Sequence, residues 1–434
     1  VNPQADKLGQ ALLEFAHGEP LGETGRYWLA VQGANTYGQG KDKLKMDERV
    51  AFIEGMTQEI NDIASNPLKY RDLWCPVDDK GKCKTAEPFE FLKFCFEWSD
   101  MLKLSDSTKF VSRISVKLDA TCSGLQHYSA MLRDERGALA TNIGDNEERQ
   151  DIYNEAGNEA KGIILDELVS INVPVEKQWK RSFIDCITRD IAKPPCMTLP
   201  YGVSTFGITD KLIEQSKEGK LVNAYFDQES NGKERMGKLR WFAQKLEQGV
   251  ADTVPSAVEA MSWLKACDKI LGKSLPEDVH YEFRSPVGLS IKQARKKERT
   301  KRLESFFGVS KIRIQYSTRI KEKAIDRAKS NTSIAPNFVH AQDASHLTNV
   351  ALRAKRELGL KSFSFIHDSF GVHPSEMCDF LPIIKQEFHK LYSGDRLNEL
   401  RTYWQDRYEV ELPPAPTQGK FNVDSILDSK FIFS

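Results

Sequence analysis

The spacing of apolar residues predicts a largely helical chain. Apolar side chains recur with the helical period of about 3.6 residues in four regions, namely 1–110, 124–134, 146–270 and 336–358. Alternating or β-rich runs predict strands at 113–119, within 280–316, and at 362–373. The first of these strands ends on Asp119. The last region has the pattern of a strand, a tight turn that contains Asp368, and a second strand.

Helices that accompany strands ending in aspartate indicate an α/β (α+β) fold, in which a long helical insertion interrupts a small sheet domain. The 434 residues are enough for two or three domains, or for one large domain with lobes. Charged residues make up 29% and hydrophobic residues 40%, which is typical of a globular protein with a substantial core. No apolar run reaches the roughly 18–20 residues that span a bilayer, so no membrane partner is expected.

The net charge and the spacing of the cysteines exclude few classes of protein. Lys and Arg together number 62, as do Asp and Glu, so the net charge does not indicate nucleic acid. A basic groove balanced by an acidic outer face is compatible with this equality. The closest cysteine pair, Cys75 and Cys83, is too far apart for a CxxC zinc motif. Most other cysteines lie in apolar runs and are expected to be reduced core thiols.

Asp119 and Asp368 are the first candidates for chemistry. Two aspartates from separate strands can hold two divalent ions about 3.5–4 Å apart, which activate a hydroxyl and stabilise a leaving oxygen in phosphoryl transfer. Magnesium suits a site with only two carboxylates, because substrate phosphates complete its coordination. Taken singly, each aspartate is more often a turn or helix-capping residue. The interpretation therefore depends on the residues that accompany them.

A second constellation consists of Arg189, Lys193, Tyr201 and Gly202. Arg189 and Lys193 are four residues apart and share a helix face, where two cations could bind a triphosphate. Lys193 could also protonate a pyrophosphate leaving group. Tyr201 is placed to stack on or check an incoming nucleotide. A solvated basic face with a core tyrosine explains the same spacing.

Three stretches contain these candidates, namely DATCSGLQHYSAMLRD (119–134), RDIAKPPCMTLPYG (189–202) and HDSFG (367–371). The first and third resemble the two catalytic motifs, and the second the fingers-helix motif, of one family, the phage-type single-subunit DNA-directed RNA polymerases. Further similarity lies in GETGRYWLAVQGAN (22–35), AVEAMSWLK (257–265), IAPNFVHAQDASHL (334–347) and NVDSILDSKFIFS (422–434). The matches follow the order of the family and span nearly the whole chain. They imply a right-hand polymerase palm and fingers with a small antiparallel palm sheet.

The resemblance implies a role for each residue of the catalytic motifs. Asp119 and Asp368 bind two Mg²⁺ ions, and the backbone carbonyl of Ala120 is a further ligand. His367 supports the turn that carries the second aspartate. Lys193 contacts the nucleotide phosphates and acts as general acid toward pyrophosphate.

Other residues are implied to bind the nucleotide and the duplex. Arg189 contacts the triphosphate, and Tyr153 lies near the nucleotide phosphates. Tyr201, followed by Gly202, monitors the sugar and the templated base and favours ribose over deoxyribose. His340 contacts the minor groove of the primer–template duplex.

The basic segment 296–315 occupies the place of the family's promoter-specificity hairpin, about 280–316. Three of its residues are suited to hydrogen-bond the edges of guanine or adenine in the major groove, namely Arg302, Arg313 and Gln315. Glu304 could accept a hydrogen bond from cytosine. A solvated basic hairpin that touches only phosphates is the alternative.

Two positions depart from the family pattern. Ala120 replaces the usual glycine, which is tolerated if its φ is negative. Pro194 and Pro195 directly follow Lys193, and an interior proline costs a helix about 3 kcal/mol. The fingers helix is therefore expected to kink there, or to begin late with proline in its first turn.

The resemblance also implies domains and partners. Residues 1–147 would form the first part of the palm with a helical insertion, 148–340 the fingers, and 341–434 the second part of the palm with the C-terminal segment. The reaction would be DNA-templated nucleotidyl transfer to an RNA 3′ hydroxyl with release of pyrophosphate. The partners would be template and promoter DNA, nascent RNA and ribonucleoside triphosphates. The expected setting is the cytoplasm of a phage-infected bacterium, with an organelle as the alternative.

Members of the family carry a promoter-binding N-terminal domain and a thumb before this region. We therefore expect a fragment of a longer protein, or one piece of a split enzyme whose partner supplies that portion. By itself the chain is expected to have little promoter-dependent activity.

Two other functions are compatible with parts of the pattern. Family A DNA polymerases share the Arg-x3-Lys-x7-Tyr-Gly helix, but their acidic motifs run Asp-Tyr-Ser-x-Ile-Glu and usually His-Asp-Glu. Here the residues are Asp-Ala-Thr-Cys-Ser-Gly and His-Asp-Ser. A truncated, non-catalytic nucleic-acid-binding remnant is the second alternative.

Overall fold

The structure is a computed structural model that describes residues 6–79, 81–223, 231–308 and 310–433. The chain divides into two units. The first unit consists of Val1–Thr121, His346–Phe388 and Lys430–Ser434, and the second of Cys122–Ser345 and His389–Ser429. The assignment of palm and fingers to stretches of the chain stays a prediction, because the division into units does not identify either part by function.

The N-terminal part of the first unit is helical, as predicted for residues 1–110. Its helices are α1 (Lys7–Ala11), α2 (Gly22–Tyr37), α3 (Met46–Gly55), α4 (Thr57–Ser65), α5 (Arg71–Trp74) and α6 (Pro88–Leu102). Short 3₁₀ turns lie at Lys41–Lys43 and Ser107–Lys109, and the strands β1 (Glu19–Pro20) and β2 (Val111–Ser112) form an antiparallel pair.

Helix α6 illustrates how the core of this unit forms. It begins at Pro88, where the missing backbone N–H costs nothing because the first turn has no intrahelical acceptor for it. Its buried residues recur at helical spacing, which creates one wide apolar face: Phe91, Phe94, Cys95, Trp98 and Met101. This face packs against buried aliphatic residues of α2, α3 and α4. Full burial of one such large side chain stabilises the fold by about 1.5–3 kcal/mol.

A three-stranded antiparallel sheet with the order β3–β9–β8 belongs to the same unit. The strands are β3 (Val116–Asp119), β8 (Ser364–Ile366) and β9 (Ser369–Val372). In β3 the apolar residues Val116 and Leu118 are buried and Asp119 is exposed, which confirms the predicted strand and its acidic end. The strand begins later than residue 113, because the carbonyl of Arg113 instead accepts from the N–H of Phe15 at 3.1 Å.

The described part of the second unit is mainly helical, which confirms the prediction for 146–270. Its helices are α7 (Ser123–Met131), α8 (Glu135–Ala140), α9 (Ile152–Ser170), α10 (Pro174–Ser182), α11 (Arg189–Thr198), α12 (Thr205–Lys217), α13 (Gly232–Thr253), α14 (Pro255–Ser274), α17 (Arg396–Tyr408) and α18 (Ser425–Asp428), with a 3₁₀ turn at Leu199–Tyr201. Its core contains Ile164, Phe183, Ile191, Phe242 and Leu246.

Two helices contribute residues to both units. These are α15 (Arg327–Glu357) and α16 (Met377–Tyr392), and α16 follows a 3₁₀ turn at Pro374–Glu376. The prediction that the former begins at residue 336 is wrong. Asp326 marks the true start, since its carboxylate accepts from the N–H of Lys329 at 3.1 Å. The helix continues through Pro336.

Two hairpins lie before this long helix. Strands β4 (Glu282–Arg284) and β5 (Ser290–Lys292) form a short one, and β6 (Lys296–Phe307) and β7 (Ser310–Ile325) form a long one. The predicted hairpin bounds of about 280–316 are therefore wrong at the C-terminal side. Residues 317–325 read STRIKEKAI, so this part of the strand has no regular apolar alternation by which it could be recognised.

The cysteines mostly follow the prediction. Five are buried as free thiols: Cys95, Cys122, Cys186, Cys196 and Cys267. Cys378 is the exception among the cysteines outside the Cys75–Cys83 pair, because it is exposed at the start of α16. Among the described helices, none is long and apolar enough to cross a membrane.

Candidate functional site

Strand pairing in the first unit brings the backbones of the two predicted aspartates together, Asp119 at the end of β3 and Asp368 in the turn before β9. Asp119 is opposite Ser369 in the β3–β9 register, and the N–H of Ala120 donates to the carbonyl of Asp368 at 3.3 Å. Asp119 is exposed and Asp368 is half-buried.

The donor set around this pair fits magnesium better than a metal with an all-protein cage. Among the described residues, no cluster of three or more His, Cys, Asp or Glu side chains forms a metal site. The protein therefore offers two carboxylates and the carbonyl of Ala120. Magnesium commonly binds through one or two carboxylates and completes its coordination with water and phosphate oxygens.

Strained backbone flanks both aspartates. His367 has a φ of 55° at the first central position of the two-residue turn that joins β8 to β9. Cys122, three residues after Asp119, has a φ of 60°. A left-handed conformation at a residue other than glycine costs about 1–2 kcal/mol, and such strain concentrates at functional sites. Ala120 has no positive φ, so its methyl group is tolerated where the family usually has glycine.

In the second unit, two predicted phosphate-binding cations gather around one buried tyrosine. Tyr153 lies under both: the Arg189 guanidinium is 4.9 Å and the Lys193 ammonium 5.7 Å from its ring centroid. Burial raises the pKa of Tyr153 far above its usual value, so its phenol stays neutral. The predicted sharing of one helix face by Arg189 and Lys193 is confirmed, because both belong to α11.

Asp151 is a residue of this cluster that sequence reasoning missed. Its carboxylate caps α9 by accepting from the N–H of Tyr153 at 3.1 Å, and it also accepts from Arg189 Nε at 2.7 Å. Arg189 is therefore partly neutralised. Lys193 forms no ion pair within the described part of the chain. The capping position of Asp151 before α9 was the available sequence signal.

The two prolines after Lys193 do not delay the helix, because Arg189 is its first residue and both prolines lie inside it. The alternative of a late start is therefore wrong. Pro194 has no N–H to donate to the carbonyl of Asp190, four residues earlier. The side chain of Gln215 replaces this donor: its Nε2 donates to the Asp190 carbonyl at 2.7 Å. A residue from α12 thus compensates for the proline.

Replacing Gln215 with methionine should therefore lower the free energy of unfolding by about 1–2 kcal/mol, because the partly buried Asp190 carbonyl loses its donor. Urea unfolding of the full chain measures this change. In a Pro194→Ala background the alanine N–H can donate to the same carbonyl, so Gln215→Met should then cost much less. Equal costs in both backgrounds would show that the two residues are not coupled.

Tyr201 stacks on His340. Their ring centroids are 4.4 Å apart with an interplanar angle of 17°, and the Tyr201 hydroxyl lies 3.3 Å from Ser123 Oγ. A Cβ on Gly124 would lie 2.7 Å from Pro200 Cβ and 3.2 Å from Tyr201 Cζ, so only glycine allows α7 to approach this closely. Gly202 has a φ of 72° and ends the 3₁₀ turn that presents the tyrosine.

A buried polar network holds the helix that carries His340. His127 on α7 has its Nδ1 2.5 Å from the Tyr392 hydroxyl and its Nε2 3.3 Å from Asp343 Oδ1. Asp343 lies three residues after His340 on α15, so the network restrains that helix one turn from the stack. Sequence reasoning missed all three residues, which are distant in the chain and meet only in the fold.

The long hairpin has charged pairs across its strands. Glu304 is opposite Arg313 and forms ion pairs with Arg313 at 3.0 Å and with Lys311 at 2.5 Å. Arg302 is opposite Gln315 in the same register. The four predicted base-reading residues thus occupy two cross-strand pairs, which are separated by the pair Leu303 and Ile314. Reading cytosine with Glu304 would require these ion pairs to open.

Residues 19–412 match a sequence model of the family described as DNA-dependent RNA polymerase. This chain belongs to that family. The match covers both aspartates, the α11 cations and the Tyr201–His340 stack.

The polymerase relatives come from phages and from organelles. The chain is 31% identical to the DNA-directed RNA polymerase of Enterobacteria phage T3 and 32% identical to T7 RNA polymerase of Escherichia phage T7. Each of these two comparisons covers all of this chain and 51% of the phage protein. It is 29% identical to DNA-directed RNA polymerase 1, mitochondrial, of Nicotiana sylvestris, covering 41% of that protein. The chain thus spans about half the length of the phage relatives it matches.

Proposed function

We propose that the chain carries the nucleotide-adding centre of a DNA-directed RNA polymerase. The observation that carries the proposal is the pairing of β3 with the β8–β9 turn, which brings Asp119 beside Asp368. The family match supports the reaction class, transfer of a ribonucleotide to an RNA 3′ hydroxyl under the direction of a DNA template. Template DNA, nascent RNA and ribonucleoside triphosphates are the corresponding partners.

In this proposal the carboxylates of the first unit bind Mg²⁺. Bound Mg²⁺ would make the 3′ hydroxyl a better nucleophile and offset charge on the leaving oxygen. Asp119 and Asp368 would supply carboxylate oxygens, and Ala120 its carbonyl. The strained His367 backbone would keep the second aspartate at the tip of its turn, where phosphate oxygens can reach it.

The residues of the second unit would act on the nucleotide. Lys193 would neutralise the triphosphate and donate a proton to pyrophosphate, because no carboxylate engages it within the described residues. Arg189 would have a weaker effect on the phosphates, since Asp151 already binds its guanidinium. Tyr201 would discriminate the sugar, and its stack on His340 would fix its ring plane. Arg302, Glu304, Arg313 and Gln315 would contact promoter DNA.

Primer extension tests the proposal without requiring a promoter. An RNA primer annealed to a longer DNA template should be extended by the full chain in the presence of Mg²⁺ and ribonucleotides. Deoxynucleotides should be used at least about tenfold less efficiently, and Tyr201→Phe should reduce that preference. The reason is that the part-buried Tyr201 hydroxyl beside Ser123 can hydrogen-bond a sugar hydroxyl and so disfavours an analogue that lacks it.

Two results would count against the proposal. Equal use of both sugars would favour a family A-like DNA polymerase. Binding of the duplex without any pyrophosphate release would favour a non-catalytic remnant.

A further inference from the structure

A basic cavity lies at the base of the long hairpin in the second unit. Its volume is about 350 Å³. The wall is formed by the end of β5, the start of β6 and the long helix α15, through Lys292, Gln293, Ala294, Arg295, Lys296, Glu298, Lys329 and Asn337. Four of these residues carry positive charge and one carries negative charge. Lys296 and Glu298 belong to the base of the long hairpin, and none of the lining residues is among the predicted catalytic, nucleotide-binding or base-reading residues.

The positive charge in this cavity is only partly balanced. Lys329 lies 4.0 Å from Glu298 and 3.9 Å from Asp326. Within the described part of the chain, Arg295 and Lys296 have no carboxylate at ion-pairing distance, whereas Lys292 lies opposite Glu282 in the β4–β5 register. Like charges that line one concave surface focus a positive potential and attract an anion.

Gln293 gives the cavity a second, independent sign of a ligand. The residue is 1% exposed, and its Oε1 accepts from Ser333 Oγ at 3.2 Å and from Asn337 Nδ2 at 3.3 Å. Its Nε2 has no hydrogen-bond partner among the described residues. Buried polar groups are nearly always paired, so this donor calls for an acceptor. A water molecule would satisfy the donor but would leave the excess of positive charge unbalanced.

The arrangement suits a backbone phosphate more than a free anion. Lys292, Arg295 and Lys296 lie within five consecutive residues between β5 and the start of β6, and all three line the cavity. Asn337, on the cavity wall, precedes His340 by less than one helical turn on α15, and His340 stacks on Tyr201. The cavity therefore adjoins the part of the unit proposed to hold the duplex.

We infer that this cavity binds a phosphodiester group of the primer–template duplex, with Gln293 Nε2 as hydrogen-bond donor and Lys292, Arg295 and Lys296 as the neutralising cations. The inference rests on the proposed function, because it assumes that the chain holds a nucleic-acid duplex.

Salt-dependent binding by the full chain tests the inference. The affinity for a fluorescent RNA–DNA hybrid is measured by anisotropy over a series of KCl concentrations. Each phosphate contact contributes about 0.7–0.9 to the slope of log K against log salt. Arg295→Gln should reduce the slope by about that amount and weaken binding about tenfold, whatever the hybrid sequence. Lys217→Gln, which removes an exposed charge at the end of α12, is the matched control and should leave the slope unchanged.

Gln293→Glu separates a binding defect from a folding defect. The glutamate keeps an acceptor for Ser333 and Asn337 and places a carboxylate among the cations. Its melting temperature without nucleic acid should be equal to or above that of the unaltered chain, while its affinity for the hybrid falls about tenfold. A lower melting temperature would contradict the excess of positive charge and overturn the inference.

The remaining outcomes show whether the cavity binds a phosphodiester or a free anion, and they separate this inference from the proposed function. If inorganic phosphate or pyrophosphate raises the melting temperature of the unaltered chain while Arg295→Gln keeps the full salt slope, the cavity binds a free anion and the inference is wrong. If the unaltered chain extends primers but both cavity variants bind like the control, only this inference fails. If the cavity variants change the slope but no chain adds nucleotides, only the proposed function fails.

Discussion

Replacing Asp368 with alanine should reduce nucleotide addition by at least about 10³-fold, the scale on which removal of a preorganised charge-stabilising group acts. Asp119 and Asp368 are brought together by a single strand pairing, and no third acidic or thiolate ligand joins them among the described residues. Loss of either carboxylate therefore removes about half of the side-chain ligands of the proposed magnesium site. Asp119→Ala should have the same effect, and the double variant should be little worse than either.

Extension of an RNA primer on a DNA template, with Mg²⁺ varied, measures this loss. Asp379→Asn, at an exposed position in the first turn of α16, is the matched control and should retain activity. Hybrid binding should be nearly unchanged in Asp368→Ala, since the charge removed is negative. Activity within tenfold of the unaltered chain would show that this aspartate does not hold a metal required for the reaction.

Replacing Lys193 with methionine should lower kcat/KM for nucleotide addition about 10²–10³-fold. Lys193 lies 5.7 Å from the Tyr153 ring centroid, and no carboxylate offsets its charge in the described structure. Arg189 shares the helix face but is held by Asp151 at 2.7 Å. The lysine is thus the cation with more of its charge available to a triphosphate.

Lys193→Arg separates the two roles proposed for the lysine. Arginine keeps the positive charge but does not release a proton in proteins. If the lysine is the general acid, kcat should fall by about 10²-fold or more while KM stays within a few-fold. A variant with unchanged kcat would show that only the charge matters. Lys217→Met, at an exposed position on α12, is the control for removal of a lysine.

Much of the fold was predictable because its signals are local. Burial of Val116 and Leu118 with exposure of Asp119 follows from simple alternation along one strand. The cations of α11 share a face because four residues make about one helical turn. The errors lie where periodicity is missing or is misread. The second half of the last strand of the long hairpin lacks a regular apolar alternation, and the start of α15 is marked by a capping aspartate before an interior proline.

The candidate site was predictable as residue types but not as contacts. The motif residues were identified from short stretches that each resemble the polymerase family. The residues that contact the motif residues were not identified, since Asp151, Gln215 and His127 contact residues that lie 25 to 265 positions away in the chain. The basic cavity could not be predicted from the sequence either, because its buried amide and its cations come from three separate elements.

The sequence by itself determined the family, the strand that ends at Asp119, the turn that carries Asp368, and the helix face of Arg189 and Lys193. Each of these is encoded within a few neighbouring residues, where side-chain spacing and backbone geometry act directly. Only the tertiary structure decided that Asp119 lies beside Asp368, that Asp151 partly neutralises Arg189, and that Gln215 supplies the donor which Pro194 lacks. Those outcomes depend on the packing of distant segments, and that packing determines which polar groups are paired.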